Sequence, residues 1–289
     1  MMRFLRPFFA CTCVYGFAVF VSPAALAQGV TSVGLVTDVV GNVRLIRGRE
    51  ITKAGVPADV FPDTRLEIDN GGRVVMLVLA SGEEATVKGP ASASMSASAV
   101  VANPASALTR RTSSVGNVKL RRRDLSQAAI VMRSSDQTVR FPLLNLAGTL
   151  TLEPAPVFRW TAVEGAGPYR FTLLDDAGRE LFTTRTEATE MALPSSVTLA
   201  ESRVYTWEVV TRRANGLEYS NFGDFALAPS ALRDEAVRLR PKEDASFSDR
   251  VAYAVWLDSV DLSDAAREVW RRLSRERPDE ERLRQLAGP

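Results

Sequence analysis

A chain of 289 residues, of which 46% are hydrophobic, is long enough to bury two or three small cores. It contains no His, and its two Cys residues, Cys11 and Cys13, lie near the N-terminus. For the rest of the chain this excludes Cys nucleophiles, His general bases, Ser-His-Asp triads and nearly all zinc or copper sites. The formal net charge of +2 gives no global basic field that would attract nucleic acid.

The N-terminal segment has the features of a secretory signal peptide. Two Arg residues precede an apolar run over 7–21, and a small-residue site ends at Ala27. We expect cleavage between Ala27 and Gln28, which removes both Cys residues. An uncleaved membrane helix is the alternative, but the apolar run is short and Pro23 follows it. The sequence thus predicts a periplasmic protein with a signal peptide over 1–27, no later membrane span and no disulfide.

Residues 28–147 are expected to form a β domain. Between Val33 and Pro90, short β-type runs alternate with Gly, Pro, Asn and Asp, which break helices and favour turns. Residues 39–47 alternate imperfectly, which indicates one strand with one better-buried face. The apolar run within 73–80 follows an Asn-Gly-Gly turn and predicts a central strand covered on both faces.

The order of these motifs resembles the FecR-like periplasmic domain. A Gly-x-Val strand at 41–43 precedes the Ala54-Gly55 turn, and a Gly-Gly hairpin leads into an apolar strand that ends at Ser81-Gly82. In the FecR family proper, a membrane helix links this domain to a cytoplasmic segment that controls a sigma factor. The chain shows no such segment, so the resemblance implies envelope sensing through a partner rather than anti-sigma activity.

Two segments of biased composition follow. The Ala- and Ser-rich residues 91–107 predict a weak closing strand, with a low-complexity connector as the alternative. A basic patch comes next, and two more strand candidates lie at 127–133 and 137–146. The patch could contact anionic lipid, lipopolysaccharide or an acidic partner, although the absence of interleaved aromatics favours a solvated loop or strand edge. The patch consists of Arg110, Arg111, Lys119, Arg121, Arg122 and Arg123.

Residues 148–228 are expected to form an antiparallel β-sandwich. The segments 169–173 and 205–209 alternate cleanly, with large apolar residues on one face and polar residues on the other. Together with Phe-x-Trp at 158–160, they resemble fibronectin type III and related immunoglobulin-like domains, which implies that fold here. The aromatic residues at inward positions favour core packing over a sugar-binding platform. These residues are Trp160, Tyr169, Phe171 and Trp207.

The periodicity changes to helical in residues 229–289. A short helix is predicted over 231–239, a second over 246–260, and a third in which Ala266, Val269, Trp270 and Leu273 recur at three and four residues. Pro278 ends that helix, and a last short helix is predicted over 279–286.

Part of this tail resembles one tetratricopeptide-type hairpin. The resemblance rests on Ala254 after an aromatic residue, on Ala266 with Trp270 four residues later, and on the Pro that ends the second helix. Such units need neighbours to cover their apolar faces. We expect the hairpin to dock on the β-sandwich, with the alternative that Trp256 and Trp270 anchor a partner.

The carboxylates give no recognisable metal or catalytic pattern. The acidic residues Asp59, Asp63, Glu67 and Asp69 lack the dense spacing of a calcium loop, which favours solvated turn carboxylates. A glycosidase would need a pair of carboxylates at a set separation. The candidates for such a pair are Glu153, Asp175, Asp176 and Glu208, of which the consecutive Asp residues fit a hairpin turn.

The sequence therefore predicts a mainly β protein with a short α-helical C-terminus. We expect a non-catalytic periplasmic binding or scaffold protein of the cell envelope, without cofactor or metal. Its expected partner is a periplasmic or outer-membrane protein or a cell-wall polymer. A carbohydrate- or peptidoglycan-binding accessory module is the alternative, and a carboxylate-dependent glycosidase is a more distant one.

Overall fold

The computed structural model describes residues 31–113, 115 and 139–288. In the described part of the first domain, ten strands form two five-stranded antiparallel sheets, which we call the covered sheet and the open sheet. The covered sheet consists of β1 (Gly34–Val40), β4 (Ala58–Val60), β6 (Arg73–Val78), β7 (Glu83–Lys88) and β10 (Leu108–Thr112), in the order β10-β7-β6-β1-β4. The open sheet consists of β2 (Val43–Arg47), β3 (Glu50–Lys53), β5 (Thr64–Ile68), β8 (Ala91–Met95) and β9 (Val100–Asn103), in the order β3-β2-β5-β8-β9.

The apolar run that predicted a central, doubly covered strand forms β6. It lies between β1 and β7, and every residue from Val74 to Val78 is buried. Gly71, with a φ of 74°, makes the turn that precedes the strand, as the Asn-Gly-Gly motif indicated. A strand with apolar residues on both faces needs a layer on each side, and the open sheet supplies only one of them.

The prediction of one strand over 39–47 is wrong. The chain leaves the covered sheet at Val40 and enters the open sheet at Val43. Gly41 has a φ of 75°, a conformation that ends a regular strand and lets the chain change sheets. The Ala- and Ser-rich segment, in turn, supplies β8 and β9, so it is sheet rather than connector.

The second domain is the expected sandwich. Its strands are β11 (Thr149–Thr151), β12 (Val157–Arg159), β13 (Tyr169–Leu174), β14 (Glu180–Thr186), β15 (Glu190–Ala192), β16 (Val204–Arg212) and β17 (Glu218–Leu227). Five of them form a sheet in the order β11-β17-β16-β13-β14, and β12 pairs with β15 against it. The inward residues predicted in β13 and β16 are all buried in one aromatic core.

The boundary between these domains differs from the predicted one. Phe141 and Leu146, which were assigned to the first domain, are buried in the core of the sandwich. Val139 also forms a bridge with Tyr219 of β17. The described part of 139–147 therefore belongs to the sandwich, whereas the strand candidate at 127–133 lies outside the described residues.

Four helices follow the sandwich in the described residues, as the sequence indicated. They are α1 (Ser230–Leu239), α2 (Phe247–Ser259), α3 (Ser263–Glu276) and α4 (Glu281–Ala287). No helix in the described residues is long and apolar enough to cross a membrane. The side chain of Ser246 accepts a hydrogen bond from the backbone N–H of Asp249 and so caps α2.

The helices dock mainly on the first domain. The prediction that they dock on the sandwich is therefore wrong for most of their buried residues. Their buried residues join those of the two first-domain sheets in a single apolar core that includes Trp256, Trp270 and Leu283. The tail therefore supplies the second layer that β6 requires. It also meets the sandwich through β11, where Leu150 donates its backbone N–H to the carbonyl of Asp261. All described residues from Ser32 onward belong to one compact unit.

Candidate binding surface

The two tryptophans predicted as partner anchors are interior residues. Trp256 and Trp270 are each 1% exposed, so this fold leaves no ring surface for a partner. Tyr253 stacks on Trp256 with ring centroids 5.7 Å apart, and the Trp270 indole N–H donates to Asp258 over 2.8 Å. The helical periodicity located the buried faces correctly, but the anchor role assigned to the rings has to be abandoned.

Of the basic patch, the structure describes the two arginines on β10. Arg111 donates to both carboxylate oxygens of Glu84 over 2.5 and 2.8 Å, and to Asp249 of α2 over 2.9 Å. Arg110 donates to the carbonyl of Val100 and pairs with Glu83. Both guanidinium groups therefore have intramolecular partners. Lys119, Arg121, Arg122 and Arg123 lie outside the described residues.

Arg111 belongs to the first of two polar clusters that join the tail to the covered sheet. In this cluster, Ser248 of α2 donates to Glu84 over 2.6 Å, and its hydroxyl lies 2.7 Å from that of Thr37 on β1. Because Glu84, Asp249 and Ser248 are all buried, their mutual hydrogen bonds offset the cost of removing them from water.

The second cluster surrounds Asp38 of β1, which accepts from Arg73 over 2.6 Å and from Arg277, at the end of α3, over 3.1 Å. Consecutive residues of a regular strand point to opposite faces. A register shift between Val36 and Asp38 lets both Thr37 and Asp38 reach the tail. We call the two clusters together the tail clamp.

The carboxylates considered for catalysis are dispersed. Asp175 accepts from the backbone N–H groups of Ala177 and Arg179 and from the Arg179 side chain, as its turn motif predicted. These hydrogen bonds, led by the one from the Arg179 side chain, hold the pKa of Asp175 below its usual value. Asp176 pairs with Arg203, Glu153 is exposed, and Glu208 lies on the outer face of β16.

The acidic cluster considered for calcium is held by arginines. Asp63 pairs with Arg47, and Arg44 bridges Glu67 and Asp69. Among the described residues, no group of three or more His, Cys, Asp or Glu side chains could hold a metal ion. Asp59 also has an interaction partner.

The aromatic residues considered as a sugar platform form the interior of the sandwich. Trp160 and Trp207 are buried, with ring centroids 6.3 Å apart, and the Trp207 indole donates to the carbonyl of Leu146 over 2.7 Å. Tyr169 and Phe171 are buried beside them. The preference for core packing is therefore correct, and a platform of these rings is wrong.

One half-buried carboxylate, that of Asp258, has a strongly altered acidity. Burial raises the pKa of Asp258 from 3.8 to about 6, against the opposing effects of the Trp270 hydrogen bond and the Arg267 charge. Asp258 lies on α2, and its partners lie on α3. The protonation state of Asp258 is therefore coupled to the packing of α2 against α3.

In contrast to these interior groups, the outer face of the open sheet is accessible. Cross-strand pairing places two rows of side chains on it, because paired residues of antiparallel strands share a face. The first row is Lys53, Arg44, Glu67, Ser92 and Asn103. The second row is Ile51, Ile46, Arg65, Ser94 and Val101. Ile51 and Val101, at its ends, are 63% and 64% exposed.

The small side chains of β8 form the floor of a shallow groove on this face. Ser92 and Ser94 lie between the larger side chains of β5 and β9, and the depression over them has a volume of about 290 Å³. Arg65 forms one wall, and Val101 with Asn103 forms the other. We call this feature the β8 groove.

The polar groups of the β8 groove are available to a ligand. Within the described residues, the side chains of Ser92, Ser94 and Asn103 make no hydrogen bond. Arg65 is 62% exposed, and its single ion pair, with Glu67, spans 3.8 Å. The groove thus combines two hydroxyls, an amide and a guanidinium with the exposed apolar surface of Val101, a mixture suited to binding.

No motif in the sequence marks this surface, because each of its residues is ordinary by itself. The available signal was the alternation of Ala and Ser over 91–95, which puts small apolar residues inside and hydroxyls outside. The neighbouring position of Arg65 depends on strand pairing between segments about thirty residues apart, which the alternation does not specify.

Comparisons with solved structures identify distant likenesses. No protein-family model and no curated protein matches the chain. CopC from Methylosinus trichosporium OB3b is 15% identical with a TM-score of 0.22, over 32% of this chain and 86% of that one. A tetra-tandem repeat in the extending region of a large adhesion protein is 14% identical with a TM-score of 0.20, over 68% of this chain and 42% of that one. The BSP domain of a biofilm associated protein is 13% identical with a TM-score of 0.22, over 70% and 26%.

The chain thus spans less than half of the adhesion repeat and about a quarter of the biofilm protein structure. Likenesses at these TM-scores do not identify a function.

Proposed function

We propose that this chain is a non-catalytic binding or scaffold protein of the cell envelope and that the outer face of the open sheet is its contact surface. The observation that carries the proposal is the difference between the two sheets of the first domain. The tail fills the outer face of the covered sheet, whereas the corresponding face of the open sheet carries the β8 groove. Concave surfaces with a few convergent polar groups are the usual location of binding sites.

The sequence supports the envelope as the compartment. The signal-peptide features over 1–27 and the order of FecR-like motifs both favour secretion to the periplasm. In this proposal the sandwich and the helices hold the open sheet in place, and the tail clamp is structural. The tetratricopeptide-like hairpin then serves as an internal layer of the first domain.

Site-specific cross-linking tests this proposal. A photo-cross-linking residue replaces Ser94 in the β8 groove of residues 28–289, and the protein is irradiated with envelope fractions. The control carries the same residue in place of Arg185, which is exposed on β14 of the sandwich. We expect a discrete cross-linked product from position 94 that is absent from position 185. No product, or the same product from both positions, would contradict the proposal.

Point variants are preferable to removal of the tail in this experiment. A chain that ends after Ala228 would lose the layer that covers β6 and would expose its apolar residues. Non-specific capture by that surface would imitate binding. Substitutions on the open sheet avoid this because they change exposed side chains only.

A further inference from the structure

The chemistry of the β8 groove allows the class of its ligand to be specified. We propose that the groove binds an extended, carboxylate-bearing glycan strand that lies along β8, with Arg65 as its carboxylate-binding residue. This inference rests on the proposed function and adds the identity of the ligand class to it.

The shape of the groove fits a linear polymer better than a compact ligand. The groove follows a strand, is open to solvent, and has Ser92 and Ser94 on its floor. Side chains two residues apart on one face of a strand recur every ~7 Å. Regularly spaced hydroxyl groups of this kind can contact successive units of an extended chain.

The composition of the groove suits a sugar. Hydroxyl and amide groups both donate and accept hydrogen bonds, and so they match the hydroxyl groups of a glycan in either direction. Ser92, Ser94 and Asn103 provide such groups, with no competing partner among the described residues. Val101, on the rim, offers an apolar surface for the C–H face of a ring.

The charge of the face favours an acidic polymer. Its two rows contain three cationic side chains, Lys53, Arg44 and Arg65, and one carboxylate, Glu67. Arg44 is engaged by Glu67 over 3.3 Å and by Asp69 over 3.2 Å, whereas Arg65, beside the groove, makes only the longer 3.8 Å pair with Glu67 among the described residues. A guanidinium binds a carboxylate through two parallel N–H donors, which gives both affinity and orientation.

The structure disfavours a peptide that adds a strand to the nearest sheet edge. Such binding needs free backbone groups along the edge strand. On β9, the carbonyl of Val100 accepts from Arg110 over 2.9 Å, and Arg110 is itself held by Glu83 over 3.0 Å. The edge is thus partly occupied by a side chain of the protein, whereas the face beside it is open.

Affinity electrophoresis of residues 28–289 tests the ligand class with three defined polymers. Polygalacturonate is a carboxylated glycan, dextran is a neutral glycan, and poly-glutamate is a carboxylated peptide. We expect polygalacturonate to retard the protein most strongly. Arg65→Gln should weaken this retardation roughly tenfold, as expected for the loss of a charge-assisted hydrogen bond, and Ser94→Val should weaken it less.

Arg185→Gln is the matched control, because it removes an exposed arginine from β14 of the sandwich and should leave retardation unchanged. Equal retardation by poly-glutamate or dextran, or equal loss in Arg65→Gln and Arg185→Gln, would overturn the inference. The cross-linking result separates the two proposals. A product from position 94 without polygalacturonate binding rejects only the glycan, whereas the absence of both rejects the contact surface as well.

Discussion

The two sheets of the first domain have the same number of strands and the same antiparallel pairing, yet they differ in what covers them. The covered sheet lies between the open sheet and the helical tail, and its central strand β6 is apolar on both faces. The open sheet has one interior face, and its strand β8 alternates between Ala and Ser. A continuous apolar run therefore indicated a missing layer, and an alternating one indicated an accessible face.

The missing layer comes from the far end of the chain. The helices that cover β6 begin at Ser230, beyond the entire sandwich. The first domain is thus completed by residues that follow the second, and its stability depends on contacts with the C-terminal helices. This arrangement separates a face that maintains the fold from a face that is free to bind, and four measurements test that separation.

Removal of an interior ring should have the largest effect. Trp256→Ala deletes a fully buried indole from the core that the tail shares with the first domain, and it should lower the free energy of unfolding by about 3–5 kcal/mol. Ile51→Ala, on the exposed end of the open sheet, is the control and should change it by less than about 0.5 kcal/mol. Urea unfolding of both variants measures the difference, and similar losses would show that the two sheets are not distinct.

Neutralisation of the tail clamp should have the next largest effect. Glu84→Gln weakens the charge-assisted bonds from Arg111 in a buried setting, and we expect a loss of about 1–3 kcal/mol. The adjacent Glu83 pairs with Arg110 near the surface, so Glu83→Gln should cost less than about 1 kcal/mol. If Glu83→Gln proved as costly as Glu84→Gln, the clamp would have no special role in holding the tail.

Acidification should strengthen the tail. Because burial raises the pKa of Asp258 to about 6, the folded state binds a proton more readily than the unfolded state does. The destabilising charge is fully present only well above pH 6, and it disappears from the folded state as the pH falls through 6 towards 4. Relative to Asp258→Asn, the wild type should therefore gain on the order of 1–2 kcal/mol between pH 7 and pH 4. A pH-independent difference in unfolding free energy between the two proteins would contradict the assignment.

The sequence predicted the parts of this fold that depend on local patterns. The inward aromatic residues of β13 and β16, the doubly covered β6 and the bounds of the helices all follow from periodicity and turn residues. The docking partner of the tail could not be predicted from periodicity. An apolar helix face shows that the face must be covered, but it does not show which sheet covers it. The same limit explains why a partner-anchor role for Trp256 and Trp270 stayed open as an alternative, although both residues complete the protein's own core.

The candidate site was less accessible to sequence analysis than the fold. Arg65 and Ser94 become neighbours only through the pairing of β5 with β8. Arg111, in contrast, belongs to a conspicuous basic run in the sequence, yet its guanidinium is paired with Glu84 and Asp249. The high local density of basic residues therefore marked a structural cluster. The accessible guanidinium of Arg65, in contrast, is the single basic side chain of β5.

Substitution within the β8 groove should have the smallest effect on stability. Arg65→Gln removes a charge from a side chain that is 62% exposed and makes one long ion pair, so the free energy of unfolding should change by less than about 0.5 kcal/mol. Arg73→Gln is the comparison on the covered sheet, because Arg73 donates to the buried Asp38 over 2.6 Å and should cost more. A large loss of unfolding free energy in Arg65→Gln would mean that the open face, like the covered one, stabilises the fold. That result would contradict the assignment of the groove as a binding surface. A negligible loss combined with weaker polygalacturonate retardation would place the two roles on opposite sides of the same domain.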